Sequence, residues 1–286
     1  MPIALITGAS TGIGRASALR LARGGWTVLA GVREQAAGEQ LLQEAGGGRV
    51  IPLTLEVTDA QQVAQAAARV QEVVGEQGGA SSRAGLDALV NNAGIGIGGP
   101  LEVISAEDLR RQFEVNVLAQ IAVTQAMLPA LRRAHGRIVF VSSIGGRVAM
   151  AFTAPYTASK HAIEAIADAL RVELRTSNVQ VALVEPGSVA TPIWEKSRAE
   201  AQRTSIPPAL QEQYGHVLPA MEKVLADTAR RGIPPEQVAE TIERALSARR
   251  MRARYVVGRD AKAMLLIRRL LPDLVFDRVA RRALGV

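Results

Sequence analysis

The chain has 286 residues, with 34 Lys and Arg against 27 Asp and Glu, a formal net charge of +7 and no cysteine. The lack of cysteine excludes disulfide frameworks, thiolate metal sites and thiol nucleophiles, and three histidines leave little for any other metal site. A hydrophobic content of 48% is typical of a globular protein, and an aromatic content of only 3% makes its core aliphatic.

The start of the chain carries no targeting signal. Met1 and Pro2 lead directly into an apolar run, without the basic segment and longer apolar stretch of a signal peptide. No apolar run approaches the roughly 18 residues needed to cross a bilayer. We therefore expect a cytoplasmic protein.

Short aliphatic runs alternate with segments in which apolar residues recur at helical spacing. The predicted strands are 2–7, 27–32, 50–55, 86–91, 137–142, 179–185 and 254–257. The predicted helices are 13–24, 35–45, 59–75, 106–133, 156–176 and 235–248. Continuous aliphatic strands are buried on both faces, as in a parallel sheet. The pattern predicts an α/β fold: a Rossmann-type doubly wound parallel sheet of about seven strands, in the order 3-2-1-4-5-6-7, with helices on both faces.

No change of composition marks a second domain, so we expect residues 1–259 to form one Rossmann-type domain. The glycine-rich segment 75–82 is interpreted as a surface loop within it. Residues 192–233 form a long excursion between strand six and the next helix, and such excursions are usually functional, here as a substrate lid. Residues 260–286 are predicted to be a basic, amphipathic helical extension.

The first strand runs into a glycine-rich turn, Thr7-Gly8-Ala9-Ser10-Thr11-Gly12-Ile13-Gly14, and then into a helix. Glycines permit a sharp turn and a close backbone approach, and a helix N-terminus attracts a pyrophosphate. The spacing differs from the common G-x-G-x-x-G pattern, and a tight strand–helix connection is the alternative. Its place at the first strand of an α/β sheet favours dinucleotide binding.

A second set of residues lies near the end of strand five. Tyr156 and Lys160 are four residues apart on one predicted helix and therefore share a face, with Pro155 in the first helical turn. Ser143 directly follows strand five, and the carboxyl ends of strands are where such sheets place ligands. The three residues together predict a site, although an isolated Tyr-x-x-x-Lys pair is common.

These residues, in this order, identify a resemblance to the short-chain dehydrogenase/reductase family over essentially the whole chain. The remaining landmarks are Asn91-Asn92-Ala93-Gly94 after strand four, Asn116, and Pro186-Gly187-Ser188-Val189-Ala190-Thr191 after strand six. The resemblance implies an enzyme that interconverts an alcohol and a carbonyl compound by hydride transfer with a nicotinamide cofactor. It also implies a homo-oligomer, a dimer or tetramer.

The resemblance assigns the catalytic roles to Asn116, Ser143, Tyr156 and Lys160. Tyr156 would be the general acid and base, and Ser143 would bond the substrate oxygen. Lys160 would hold the nicotinamide ribose and, with the oxidised ring, lower the tyrosine pKa from its ordinary value of about 10. Asn116 would carry a water link from Lys160 to solvent, or else be a structural side chain.

The remaining cofactor contacts follow from the same landmarks. Asn92, Ala93 and Gly94 would line the adenosine ribose, and Val189 and Thr191 the carboxamide and pyrophosphate. At position 56 the chain departs from the family, which usually has Asp before Val57 for the adenine amino group. Glu56 could still reach that group. The full expected set is Gly8, Ser10, Thr11, Gly12, Ile13, Gly14, Arg33, Glu56, Val57, Asn92, Ala93, Gly94, Tyr156, Lys160, Pro186, Gly187, Val189 and Thr191.

The choice of cofactor depends on the end of strand two. Relatives that prefer NAD place an acidic residue near position 32 to bond the ribose 2′-hydroxyl, and Val32 cannot do this. Arg33 could pair with a 2′-phosphate through its forked guanidinium. We therefore favour NADP(H) over NAD(H), with a solvated Arg33 as the alternative.

The segments 142–147 and 154–164 resemble the subgroup that contains 17β-hydroxysteroid and retinol dehydrogenases, which suggests a lipophilic alcohol or ketone. The excursion agrees, because it holds apolar side chains able to cover such a ligand. They are Ile193, Trp194, Ile206, Leu210, Tyr214, Val217, Leu218 and Met221. Ordinary packing of a lid helix is the alternative, as is an NAD(H)-dependent enzyme for a small polar hydroxy compound.

The positive charge is concentrated in the tail. Residues 249–286 contain eleven basic and three acidic residues, a net charge of +8, whereas the other 248 residues have a net charge of −1. Leucines alternate with arginines in one or two amphipathic helices broken near Pro272. This pattern suits an anionic membrane surface, or else packing on the body or a partner subunit. No nucleic-acid module is present. A non-catalytic dinucleotide-binding sensor is a further alternative. The set Asn116, Ser143, Tyr156 and Lys160 argues against it, because a protein that only binds a dinucleotide needs no proton relay.

Overall fold

The computed structural model describes residues 1–47, 49–77, 84–193 and 206–284. Its seven strands are β1 Ile3–Ile6, β2 Thr27–Val32, β3 Val50–Thr54, β4 Ala88–Asn91, β5 Arg137–Val141, β6 Gln180–Pro186 and β7 Arg254–Val257. They form one parallel sheet in the order β3-β2-β1-β4-β5-β6-β7. This order confirms the predicted fold.

Because successive side chains of a strand point to opposite faces, the sheet has two buried cores, one on each face. In β1, Ile3 and Leu5 belong to one buried cluster, and Ala4 and Ile6 belong to the other. All four side chains are almost fully buried, which is why the strands read as continuous aliphatic runs.

The helices are α1 Gly12–Arg23, α2 Gln35–Glu44, α3 Ala60–Gln77, α4 Ala106–Phe113, α5 Ala119–Ala134, α6 Ala154–Glu173, α7 Val217–Arg231, α8 Pro235–Ser247, α9 Arg259–Leu270 and α10 Asp273–Leu284. The predicted loop 75–82 is wrong at its start, because α3 continues through the exposed Gly75 to Gln77. Residues 78–82 lie outside the described part. The helix predicted over 106–133 is interrupted by a π-helical turn, Glu114–Leu118.

The excursion predicted as a lid contains α7, and the tail forms two helices separated at Pro272. The domain boundary at residue 259 stays a prediction, since α9 follows β7 directly. Within the described residues, no helix is long and apolar enough to span a membrane.

Candidate active site

A cleft of about 380 Å³ opens at the carboxyl ends of the central strands, where ligands bind in doubly wound sheets. Among the described residues, the cleft brings together all predicted site residues except Gly14 and Asn116. Its lining includes Gly8, Ser10, Thr11, Gly12, Ile13, Arg33, Glu56, Val57, Asn92, Ala93, Gly94, Ser143, Tyr156, Lys160, Pro186, Gly187, Val189 and Thr191.

The glycine turn fits a pyrophosphate because it leaves backbone groups open to the cleft. Gly8 and Gly12 adopt positive φ angles of 65° and 55°, which other residues rarely reach. A Cβ atom on Gly14 would lie 2.2 Å from the Gly8 carbonyl oxygen, so only glycine lets α1 start this close to β1. The first turn of α1 has no acidic residue and no side-chain cap, so its N–H groups can receive an anion.

Asn92 and Thr7 brace this turn against β4. The Asn92 amide donates hydrogen bonds to the carbonyl oxygens of Thr7 and Gly8 at 2.9 and 3.0 Å. The Thr7 hydroxyl accepts from the backbone N–H groups of Asn92 and Ala93, both at 3.0 Å. The segment after strand four therefore holds the glycine turn in place.

Ser143, Tyr156 and Lys160 meet on the opposite side of the cleft. Ser143 lies two residues after β5 and caps the short turn that follows, where its hydroxyl accepts from the Gly145 N–H at 3.1 Å. It lies beside Tyr156 in the cleft. The Lys160 ammonium lies 5.8 Å from the centre of the Tyr156 ring and donates to the Val141 carbonyl oxygen at 2.9 Å. The hydroxyls of Ser143 and Tyr156 and the ammonium of Lys160 therefore lie together in the cleft.

Burial controls the ionisation of this group. Burial raises the pKa of Tyr156, and the hydrogen bond from Ser143 lowers it by less. Burial lowers the pKa of Lys160 to about 8, while the charge of Glu164 acts in the opposite direction. In the protein itself desolvation dominates, and Lys160 is not among the groups that shift the Tyr156 pKa. The expectation that Lys160 and the oxidised ring together lower this pKa stays a prediction.

Asn116 lies in the π-helical turn between α4 and α5, an irregularity often found at functional sites. Its side chain is buried and donates to the Ile95 carbonyl oxygen and the Ser159 hydroxyl, both at 3.0 Å. Its carbonyl oxygen accepts from the Ile95 N–H at 2.9 Å. These contacts hold one wall of the cleft to the helix that carries Tyr156 and Lys160, and the water link stays a prediction.

Arg33 and Glu56 face each other beside the carboxyl ends of β2 and β3, where both line the cleft. Their side chains are 4.0 Å apart, and Arg33 is 63% exposed. Glu56 also accepts hydrogen bonds from the backbone and hydroxyl of Thr58. The guanidinium is thus held near the cleft without being buried.

Only one of the predicted lid residues, Ile193, lines the described cleft. Ile206 and Val217 are buried elsewhere, and the Tyr214 hydroxyl donates to Glu102 at 3.0 Å. Met221 approaches Gly98, which directly follows residues 95–97 of the cleft lining. Trp194 and the side chain of Leu218 lie outside the described residues.

Sequence reasoning missed Asp260, which it counted only as part of the tail. Asp260 lies in the first turn of α9, and its carboxylate accepts from the Ser188 N–H at 2.7 Å. A Cβ atom on Gly187 would lie 2.4 Å from both carboxylate oxygens. Because β7 neighbours β6 in the predicted order, an acidic residue just after β7 could have been recognised as a support for this segment.

We expect Asp260→Ala to weaken NADPH binding about tenfold, because it removes a charge-assisted hydrogen bond that fixes the segment 186–191. Fluorescence titration of the variant with NADPH measures the effect. Asp277→Ala, an exposed change on α10, is the matched control and should leave the Kd unchanged. Equal Kd values for both variants would show that Asp260 does not position this segment.

A doubly wound sheet with a glycine turn at its switch point, and a Ser–Tyr–Lys group beside it, defines a dinucleotide-binding oxidoreductase. The profile described as short chain dehydrogenase matches residues 2–202, and the chain belongs to that family. Retinol dehydrogenase 5 from Mus musculus is 39% identical to it, over 96% of this chain and 86% of the relative.

Two further relatives differ in the cofactor that their names carry. The NADPH-dependent 3-dehydrocapnine reductase from Ornithobacterium rhinotracheale is 33% identical, over 98% of this chain and 96% of the relative. The crystal structure of a short chain dehydrogenase/reductase from Burkholderia phymatum in complex with NAD is similar with a TM-score of 0.79. It is 26% identical and covers 94% of this chain and 92% of that chain.

Proposed function

We propose that the protein is an NADP(H)-dependent oxidoreductase that interconverts a lipophilic alcohol and its ketone or aldehyde. The observation that carries the proposal is the half-buried Tyr156 side chain, which lies beside Ser143 and Lys160 in the same cleft as the glycine turn. A retinol dehydrogenase among its relatives supports the substrate class.

In the direction of reduction, Tyr156 donates its proton to the carbonyl oxygen of the substrate. Ser143 donates a hydrogen bond to the same oxygen and stabilises the charge that develops there. Lys160, whose pKa is about 8, stays largely protonated at neutral pH and can return a proton towards the tyrosine. The nicotinamide cofactor, when bound, supplies or accepts the hydride.

The residues present fit such a cofactor. The turn at Gly8 and Gly12 and the start of α1 would hold the pyrophosphate, and Asn92 to Gly94 the adenosine ribose. Val189 and Thr191 would hold the carboxamide end, where a Cβ atom on Gly12 would come within 3.1 Å of Thr191. The narrow gap between them explains the need for glycine at position 12.

We expect Arg33→Ala to lower the ratio of kcat/KM for NADPH over NADH by about tenfold, because Arg33 can exchange Glu56 for a 2′-phosphate. Steady-state kinetics with both cofactors give the ratio. Arg23→Ala, an exposed arginine at the end of α1, is the control. The NADP(H) proposal would be wrong if the parent protein had equal kcat/KM for NADH and NADPH and Arg33→Ala left their ratio unchanged.

The substrate end of the cleft is lined by apolar side chains, namely Ile95, Ile97, Val115 and Ile193. These favour a steroid-like, retinoid or fatty compound. Arg111 also lines the cleft, and it is the one observation that favours the alternative, a small polar hydroxy compound.

A paired screen of steroids, retinoids, fatty aldehydes and small ketones, each with NADPH and NADH, tests the proposal. We expect the highest kcat/KM with an apolar carbonyl compound and NADPH. A polar hydroxy acid or sugar as the best substrate would overturn the proposed substrate class.

Assembly as a dimer or tetramer belongs to the same proposal, and light scattering on the purified protein tests it.

A further inference from the structure

The two C-terminal helices, α9 and α10, expose an unusual number of large apolar side chains. Twelve such side chains are exposed in the described part of the chain, and half of them lie between residues 266 and 279. Soluble proteins rarely expose contiguous apolar surface of this kind unless it binds something. The six residues are Leu266, Ile267, Leu270, Leu274, Val275 and Val279.

Cations surround these side chains. Arg269, Arg278, Arg281 and Arg282 are exposed and have no acidic partner among the described residues. Residues 249–286 carry a net charge of +8, whereas the rest of the chain is nearly neutral. The expected partner of these exposed arginines is therefore anionic.

The helices are nevertheless anchored. Phe276 is buried, and the Arg268 guanidinium lies 5.3 Å from the centre of its ring and pairs with Asp273 across the break at Pro272. At the other end Asp260 fixes α9 to the segment after β6. The apolar and cationic side chains are thus presented on held helices rather than on a loose tail.

A second cavity, of about 420 Å³, lies between α9 and the turn that follows Ser143. Its lining is a mixture of three arginines and two leucines: Arg147, Arg268, Arg269, Leu265 and Leu266. Arg147 pairs with Glu185 and Arg268 with Asp273, whereas Arg269 has no acidic partner among the described residues. An unpaired guanidinium can bind phosphate, and the leucines suit the acyl region next to a headgroup. The cavity therefore combines the two chemistries of an anionic phospholipid.

We propose that α9 and α10 dock the protein on a membrane surface that contains anionic phospholipids, with a lipid phosphate in the arginine-lined cavity. A second copy of this chain is disfavoured as the occupant, because a two-fold contact would place two copies of α9 and α10, each with seven basic and three acidic residues, against each other. A nucleic acid is disfavoured because the exposed face is aliphatic and offers no stacking platform. The proposal does not depend on the proposed enzymatic function.

Cosedimentation with vesicles tests the proposal, using equimolar phosphatidylcholine and phosphatidylglycerol, or phosphatidylcholine alone. We expect binding to the anionic vesicles that weakens with salt, and much weaker binding to the neutral ones. The triple variant Arg269→Gln/Arg278→Gln/Arg281→Gln should lose binding on the order of 100-fold. Leu270→Ser/Leu274→Ser should lose about tenfold or more.

The matched control is Val172→Ser/Arg175→Gln, which removes one exposed apolar and one exposed cationic side chain at the end of α6. It should bind like the parent protein, and thermal unfolding checks that every variant is folded. Failure to bind anionic vesicles, or equal losses in the control, would overturn the proposal. So would tail variants that change the oligomeric state in light scattering, or tighter binding to a DNA duplex than to the vesicles.

Discussion

Tyr156→Phe should lower kcat by about 10³-fold while the Kd for NADPH changes less than about threefold. The change removes the hydroxyl that is bonded to Ser143 and leaves the ring that packs beside Lys160. Rapid-mixing or steady-state kinetics measure the first quantity, and fluorescence titration measures the second. A protein that only senses a dinucleotide would show no turnover before or after the change, and its Kd for NADPH would stay the same.

The matched control for this variant is Tyr255→Phe, which removes a tyrosine hydroxyl of the same size outside the cleft, where it accepts from the Arg252 N–H at 3.0 Å. Its kcat should stay within about twofold of the parent value. If Tyr156→Phe retained full turnover, the assignment of the proton donor would be wrong. If both variants lost activity equally, the loss would reflect stability and not catalysis.

The ionisation of the site gives this prediction a pH dependence. Since burial raises the pKa of Tyr156, the free protein holds the protonated form, which is the form that reduces a carbonyl. We expect kcat/KM for reduction to be level up to about pH 8 and to fall above it, as Lys160 loses its proton. Oxidation of the alcohol should rise with pH over the same range.

Much of this site could be predicted from sequence because its parts are local. The glycine turn is one continuous segment, and Tyr156 and Lys160 share a helix face by spacing alone. Their meeting with Ser143 required only that parallel strands end at one edge. The alternation of elements predicted a parallel sheet, the Rossmann-type pattern supplied its strand order, and the structure confirms both.

The rest depends on contacts between distant segments. The support of Ser188 by Asp260 spans 72 residues, and only the predicted neighbouring positions of β6 and β7, not any spacing along the chain, bring the two residues together. The direction of the Tyr156 pKa depends on how completely the ring is buried, which the motif does not specify. A lid predicted from apolar residues brought only Ile193 into the described cleft, because apolar content does not distinguish packing from ligand contact.

A buried charge cluster behind Lys160 was likewise not predicted. Arg254 on β7 pairs with Glu164 of α6 and Glu185 of β6, each at 3.0 Å, and with Asp168 at 2.7 Å. Glu185 is fully buried and Glu164 nearly so. Burial, and then the charge of Glu164, raise the pKa of Glu185 to about 7, while Arg147 and Arg254 lower it. The arginine therefore compensates two carboxylates that have no access to water.

This raised pKa sets the sign of a stability change with pH. The folded protein holds the Glu185 proton up to about pH 7, whereas a free glutamate loses it near its ordinary value of 4.5. The contribution of this group to stability is therefore complete below about pH 4.5 and decreases as the pH rises to about 7. Removal of Arg254 should therefore lower the free energy of unfolding more above about pH 7 than below about pH 4.5.

We expect Arg254→Met to lower the free energy of unfolding by about 3–5 kcal/mol near pH 8, because it leaves the buried Glu164 without its cation and Glu185 with only the half-exposed Arg147. Urea unfolding near pH 5 should show a smaller loss, since Glu185 is then protonated. The exposed Arg252→Met is the control and should change stability by less than about 0.5 kcal/mol.

The triple variant Arg254→Met/Glu164→Gln/Glu185→Gln should recover most of the stability near pH 8, because no buried charge is then left unpaired. A triple variant as unstable as Arg254→Met would mean that lost packing, and not charge, is the cause. Because Glu164 raises the pKa of Lys160, the same triple variant should also shift the fall in reductive kcat/KM to lower pH. The cluster would then link the stability of β6 and β7 to the proton held at the active site.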